Sequence, residues 1–379
     1  MSAPRLEIHL DRILHNARML VHELADSGIA VTGITKAVLG SPEVARAMLT
    51  AGVSGLGDSR IENIERLRAA GITSEMMLIR SPMMSQVDRV VASANVSLNS
   101  SLEVIDCLSV AAVSRGCVHG VVLMVELGDL REGILAADIE AAARHTLDLP
   151  GVALRGIGTN LACQNGVVPD DHKMAELSSI ATRLEARLGI SLELISAGNS
   201  ANLDWVNSTE AVGRVNNLRL GESILLGCET LHRRPLAGLR PDAIELVAEV
   251  IESAVKPMRP WGDVAQNAFG EFVSQQTPHL RAGNEETSDR AATGDLERKD
   301  QGTGGRAIVA LGRQDVDPDG LTAPAGIDVL GMSSDHLVVG TGGTLLEVGS
   351  EIRFGLDYGA LLRAMTSPYV QQMFLGASA

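Results

Sequence analysis

Between residues 29 and 226 the chain repeats one pattern: a short, near-continuously apolar run followed by a stretch of helical periodicity. The runs fall at 30–35, 52–56, 76–79, 95–98, 120–125, 154–158, 192–196 and 218–226. A strand that is apolar on both sides must be covered on both sides, as happens in parallel sheets flanked by helices. The segments between carry helix signals. Leu10, Ile13, Leu14, Ala17, Leu20 and Leu24 make one apolar stripe ahead of the first run. Ser41 and Pro42 stand where an N-cap and a first turn belong. Ile61, Ile64 and Leu67 stop at Gly71, and Met174, Leu177, Ala181, Leu184 and Leu188 stop at Gly189. Eight such units predict an α/β fold, a (β/α)8 TIM-type barrel. The alternative is a doubly wound open sheet, which needs a switch point not visible in the sequence.

After about residue 233 the pattern changes. Arg233-Arg234-Pro235 and Arg240-Pro241 read as a connector, and β-like runs follow at 244–253, 307–311, 327–332, 337–339 and 351–354 with little helical periodicity. The length of 379 residues suits two domains. We expect a barrel over 1–232 and a mainly β domain over 233–379. The spare apolar run at 6–10 is free to join the second sheet. The segment 275–306, rich in Gly, Thr, Asp, Glu and Arg, reads as a flexible insertion.

Composition excludes several classes of function. A formal charge of −15 argues against a nucleic-acid partner. No apolar run approaches the roughly 20 residues of a membrane span, and the N-terminus has no signal-peptide apolar core. The cysteines, Cys107, Cys117, Cys163 and Cys228, show neither zinc nor disulfide spacing, so no metal is expected and a reduced cytoplasm is.

In such a barrel the chemistry sits at the C-terminal ends of the strands. The first of these ends carries Lys36, delivered by the β-branched run from Ile29 to Ile34. Desolvation favours the neutral, nucleophilic form of an amine, which is what a Schiff base with an aldehyde requires; a solubilising lysine on a barrel rim is the other reading. The remaining ends offer Asp58-Ser59-Arg60, Asn99-Ser100, Glu126 to Arg131, Thr159-Asn160, Gly198-Asn199-Ser200 and Arg219-Leu220-Gly221-Glu222. Gly198-Asn199-Ser200 presents backbone N–H groups and a hydroxyl where a helix can start, with Arg219 and Gly221 beside it. An ordinary turn and a rim ion pair are the alternatives for these two segments. An amine on an early strand facing a phosphate cradle on late strands describes a pyridoxal 5'-phosphate (PLP) site.

In these motifs the chain resembles the alanine-racemase-type (fold type III) PLP enzymes, and within them the ornithine-racemase-like amino-acid racemases. The resemblance rests on Thr35-Lys36-Ala37, Gly57-Asp58-Ser59-Arg60-Ile61-Glu62-Asn63, Glu126-Leu127-Gly128-Asp129-Leu130-Arg131-Glu132-Gly133, Gly158-Thr159-Asn160-Leu161, Gly198-Asn199-Ser200, Leu218-Arg219-Leu220-Gly221-Glu222 and Ser333-Ser334-Asp335-His336. It covers nearly the whole chain apart from the insertion. It implies that Lys36 holds the cofactor aldehyde and acts as one base. It implies phosphate contacts at Ser200 and near Gly221, further cofactor contacts at Arg60, Asn160 and Asn199, and Arg219 facing the pyridine nitrogen. Arg131 then lies near the substrate carboxylate. Ser334 and Asp335 reach the active site from a second subunit, which implies a homodimer.

The chain also departs from the family. Alanine racemase uses a tyrosine as second base near the start of its β domain, but Gln266-Asn267-Ala268-Phe269-Gly270 has none, and Gly40 stands where another tyrosine meets the phosphate. With only Tyr358 and Tyr369 in the chain, the second base is expected to be Asp335 or His336, with either tyrosine as an alternative. Tyr369 is also a candidate for the phosphate. Rival reactions on this scaffold are decarboxylation and aldol cleavage, and a non-catalytic PLP-homeostasis protein is a further rival. The long C-terminal region argues against the last. The acidic Glu126, Asp129, Glu132 and Glu222 could host a cationic side chain such as that of ornithine.

Overall fold

The computed structural model describes residues 3–258, 260, 262–270 and 302–376. The first part of the chain runs β1 (Arg5–His9), α1 (Leu10–Ala25), β2 (Ala30–Ile34), α2 (Pro42–Thr50), β3 (Gly55–Asp58), α3 (Ile61–Ala69), β4 (Met76–Leu78), α4 (Val87–Ser93) and β5 (Val96–Asn99). It continues with α5 (Leu102–Arg115), β6 (His119–Met124), α6 (Ile139–Asp148), β7 (Val152–Gly158), α7 (Asp171–Leu188), β8 (Leu194–Ser196), α8 (Leu203–Ser208), β9 (Asn217–Leu220) and α9 (Glu222–Leu226). The second part holds β10 (Ile244–Pro257), β11 (Thr303–Val309), β12 (Leu321–Thr322), β13 (Asp328–Met332), β14 (Leu337–Gly340), β15 (Glu351–Leu356), α10 (Tyr358–Thr366) and β16 (Gln371–Leu375).

Strands β2 to β9 close into a parallel barrel, with β9 paired back onto β2. The fold is therefore a (β/α)8 barrel followed by a mainly β part. Inside the barrel Met77, Val96, Leu98, Val122 and Met124 pack together. A larger core lies between the strands and the surrounding helices and continues into the second sheet. The start and stop signals act as their chemistry requires. Ser41 accepts from the Val44 N–H at 3.4 Å to cap α2, and Gly189 ends α7 in the left-handed region.

The N-terminal strand does join the second sheet. β1 runs antiparallel to β10, with Leu6 opposite Leu246, and parallel to β16. Leu6 and Ile8 are fully buried on one face, worth about 1.5–3 kcal/mol each. On the other face Arg5 bonds Glu7 and Glu351, and Arg353 bonds Glu7.

Three expectations need correction. The run at 218–226 is not one strand: it stops at Leu220, Gly221 caps, and α9 begins at Glu222. An apolar run carries no signal of its own that separates a buried strand from a buried helix. Most of 275–306 lies outside the described residues, but its last residues belong to β11, which starts at Thr303 and pairs with β10 and β14. The second part is not free of helix: α10 starts on the Asp357 cap and buries Ala360, Leu361, Ala364 and Met365. Among the described residues no helix is long and apolar enough to cross a membrane.

Candidate active site

Lys36 opens a short 3-10 turn, Lys36–Val38, just past the end of β2. The preceding residue fixes it. The Thr35 N–H donates to Gly57 O at 3.0 Å and its hydroxyl donates to Asp58 Oδ2 at 2.8 Å. Asp58 is fully buried and also accepts from the Arg60 N–H and from Asn63 Nδ2, both at 2.9 Å. Burial pushes its carboxyl up while these donors pull it down. One carboxylate thus ties the end of β3 to the residue before the lysine. Gly40 follows at φ +63°, where an added Cβ would stand 2.8 Å from Asn63 Cβ. No side chain fits there as the backbone stands.

The tyrosine beside Lys36 is Tyr358, at the start of α10. Its ring centroid lies 5.7 Å from Lys36 Nζ, and α10 packs on the Lys36–Val38 turn. Asp357 caps α10 by accepting from the Ala360 N–H at 2.8 Å, and Arg233 Nη1 donates to Asp357 Oδ2 at 2.9 Å. Burial pushes the Tyr358 phenol up, and the nearby Glu222 adds to this. Tyr369, the sequence candidate for a phosphate contact, is 65% exposed on the turn before β16. The C-terminal tyrosine beside Lys36 in this chain is Tyr358. Its sequence signal is an Asp N-cap followed by a short amphipathic repeat, too brief to stand out in a β-rich region.

The late strands bring the other candidates together. Arg219 on β9 is buried, and its guanidinium donates to Ser196 Oγ and, at 2.7 Å, to Thr159 O. Burial pulls it down to about 10, with Cys163 and Glu132 opposing that shift and Arg131 adding to it. It stays charged at neutral pH. Asn199 Nδ2 donates to Leu161 O at 2.9 Å, Asn160 Oδ1 at 3.2 Å and Cys163 Sγ at 3.3 Å. Ser200 Oγ lies 3.0 Å from Ser223 Oγ and accepts from the Ser223 N–H at 3.2 Å, joining the segment after β8 to the start of α9. Gly198 has φ +146°, and a Cβ there would meet Asn202 Oδ1 at 2.3 Å. Arg60 is exposed at the N-cap of α3. Cys163, absent from the sequence candidates, lies within electrostatic reach of Arg131, Arg219 and Tyr358.

Two loops form the rim. The Asp129 carboxylate accepts from the N–H groups of Gln164, Asn165 and Val167 and so latches the loop after β6 to the loop after β7. Arg131 is held by Glu132, which raises the pKa of its guanidinium. Glu126 accepts from the N–H groups of Gly128 and Leu130. Of the acidic residues proposed to host a cation, Glu126, Asp129 and Glu132 therefore already have partners, while Glu222 keeps a buried oxygen without one.

Ser334, Asp335 and His336 do not join this cluster within one chain. They form the exposed tip between β13 and β14. His336 Nδ1 lies 2.8 Å from Asp335 Oδ1, and this contact holds the Asp335 carboxyl below its ordinary range. The tip rests on the next loop: the Arg313 and Gln314 N–H groups donate to Ser333 O and Ser334 O, each at 3.0 Å. Arg313 in turn stacks on Phe269, 4.6 Å from the ring centroid. The tyrosine-free segment at 266–270 and the Ser-Ser-Asp-His tip therefore share one face.

The donor set at the barrel mouth fits an acceptor-rich anion carrying an aldehyde. Among the described residues Tyr358 Oη, Asn160 Nδ2 and Glu222 Oε1 are buried with no hydrogen-bond partner. Native buried polar atoms seldom stay unpaired, and the two donors among these three suit an anionic ligand, whereas Glu222 Oε1 is an acceptor. Tyr358 and Asn160 are donors, Arg219 is a buried cation bonded to neutral oxygens, and Lys36 supplies the amine.

The chain is similar to known proteins along its whole length. The family described as "Alanine racemase, N-terminal domain" matches residues 8–228. Ornithine racemase of Acetoanaerobium sticklandii is 32% identical over 98% of this chain and 99% of its own. Lysine racemase of Thermotoga maritima is 35% identical over 99% of both. The solved alanine racemase of Streptomyces lavendulae has the same fold, with a TM-score of 0.74 at 20% identity over 100% of this chain and 98% of its own.

Proposed function

The chain belongs to the alanine racemase N-terminal domain family, and from that premise we propose that Lys36, Tyr358, Arg219 and the Gly198–Ser200 turn form the centre at which it interconverts L- and D-amino acids. It is a pyridoxal-phosphate-dependent amino-acid racemase. Decarboxylation, aldol cleavage and a purely homeostatic role are not favoured, because the relatives matched along their whole length are racemases. What supports this centre is the Lys36–Tyr358 pair at the mouth of a closed barrel, with the Tyr358 hydroxyl itself, and Asn160 Nδ2 and Glu222 Oε1 just past the ends of β7 and β9, buried and unpartnered among the described residues.

When bound, the cofactor acidifies the substrate α-proton by delocalising the charge left behind. Lys36 would hold its aldehyde carbon, and Ser200, Asn199, Asn160, the backbone near Gly221 and the Tyr358 hydroxyl would hold the phosphate end. Tyr358 keeps its proton at Oη at neutral pH, because burial disfavours the phenolate; we therefore assign it a donor role and not that of second base. Arg219 would face the ring nitrogen and, as a permanent cation, disfavour its protonation. Arg131 at the rim would face the substrate carboxylate.

Inversion needs proton-handling groups on both faces of one carbon. Lys36 serves one face. For the other we propose Asp335 or His336 of a second copy, with Ser334 beside the substrate. Two features support a homodimer with shared sites: the exposed polar tip, and the exposed apolar residues Val255, Phe269, Leu345 and Val348 in the same part of the chain. Relatives acting on ornithine and lysine support a substrate with a cationic side chain. The free cysteines support a reducing, cytoplasmic setting.

The test is chemical trapping followed by a chiral assay. Borohydride treatment of the PLP-loaded protein is expected to fix the cofactor on Lys36, and Lys36→Ala to abolish both the trapped adduct and racemisation of ornithine and lysine. A trapped adduct in Lys36→Ala removes the assignment.

A further inference from the structure

Arg219 is held by a line of side chains that no part of the mechanism yet uses. Its Nη1 donates to Ser196 Oγ on β8. Ser196 Oγ donates to Asn217 Oδ1 at 2.6 Å, and Asn217 Nδ2 donates to Thr32 Oγ1 on β2 at 2.9 Å. Ser196, Asn217 and Thr32 are all buried, on the neighbouring strands β8, β9 and β2, with Asn217 two residues from Arg219 and so on the same side of β9. None of them is ionisable near neutral pH. Apolar residues would fill the barrel layer more simply, since each buried polar group costs free energy unless bonded.

The line has a fixed direction. Asn217 Nδ2 also lies 3.4 Å from Ala30 O, which can only accept. The amide nitrogen must therefore face Thr32 and Ala30, and the amide oxygen must face Ser196. The Ser196 proton is then committed to Asn217, which leaves the Ser196 lone pairs for Arg219. At its other end the guanidinium meets Thr159 O, again only an acceptor. Ser196 Oγ and Thr159 O are thus both left to accept from Arg219.

We propose that Ser196, Asn217 and Thr32 are positioning residues that lock the Arg219 guanidinium in one orientation, and so hold the reaction to racemisation by keeping the ring nitrogen that Arg219 faces unprotonated. The proposal rests on the PLP site proposed above. Its consequence is a low rate of the competing reaction, in which the substrate amino group passes to the cofactor aldehyde carbon and an equimolar 2-oxo acid leaves.

The experiment compares Ser196→Ala, Asn217→Leu and the conservative Ser196→Thr with the unaltered protein, all PLP-loaded. The readouts are the absorbance band of the bound cofactor against pH, and aminated cofactor formed per racemisation turnover. Ser196→Ala is expected to make the band pH-dependent and to raise aminated cofactor per turnover about tenfold, the scale of one buried hydrogen bond. Asn217→Leu is expected to act likewise, and Ser196→Thr to restore the parent behaviour. A lower kcat with an unchanged band and unchanged partition in Ser196→Ala means that Ser196 is structural only and overturns the proposal. Should Asn217→Leu fail to fold, the two serine variants decide alone. Failure of the unaltered protein to give a borohydride-trapped adduct overturns the site assignment instead, so the two failures are distinguishable.

Discussion

Tyr358 sits where burial and function make opposite demands on a phenol. Its hydroxyl has left water and, among the described residues, has no partner, an arrangement that costs about 1–3 kcal/mol unless a ligand completes it. PLP binding is expected to recover that cost. Tyr358→Phe should therefore weaken PLP binding about tenfold in an equilibrium titration while leaving the thermal midpoint of the cofactor-free protein unchanged or higher. Equal PLP affinity in the variant would separate Tyr358 from the phosphate. At this scale the sequence was legible for Lys36 and Arg219, because each lies at the end of an apolar strand and strand ends are where a barrel does its chemistry. It was not legible for Tyr358, since the one local signal, the Asp357 cap and the brief helical repeat after it, says nothing of where α10 docks.

At the scale of elements, short polar contacts hold the helices in place around the barrel. Glu185, near the end of α7, accepts from the Leu192 N–H at 2.8 Å and from both terminal nitrogens of Arg214 at 2.8 and 3.0 Å. It thereby pins α7 to the entries of β8 and β9. Arg214, and then the Leu192 N–H, lower its pKa from 4.5 to about 2. A depressed carboxylate stabilises the fold above its unfolded pKa and loses that contribution as pH falls through its folded one. Glu185→Gln is expected to cost about 1 kcal/mol at pH 7 after solvent screening. The gap should close as pH falls from 4.5 toward about 2. Urea unfolding across that range checks it, and a gap independent of pH would show that the contact is not electrostatic. The α7 repeat and its Gly189 stop were plain in the sequence. The α10 helix, shorter and with its cap in a β-rich region, was not.

For the whole molecule, the separation of Lys36 from the Asp335–His336 tip carries the strongest prediction. If each site takes Lys36 from one subunit and Asp335 as second base from the other, Lys36→Ala and Asp335→Asn are inactive alone. Mixed dimers then contain one site with both residues intact. Unfolding and refolding the two variants together should restore racemisation, with up to half of the parent activity per mixed dimer; no recovery despite dimer formation would place both groups in one subunit's site. The local patterns sufficed for the barrel, the β character of the second part and the role of the N-terminal strand, because periods of 2 and 3.6 residues and cap chemistry operate over a few residues. The run at 218–226 shows their limit, since a strand and the helix after it are equally apolar when both are buried. What the chain order by itself determined was therefore the eight-unit barrel pattern, the β character of the second part and the strand ends that bear Lys36 and Arg219. Only the tertiary structure decided that Tyr358 meets Lys36, that Gly40 has no room for a side chain, and that Ser196, Asn217 and Thr32 line up behind Arg219. Each of these depends on distances between segments far apart in sequence, set by barrel closure and by the docking of α10 on the turn that follows β2.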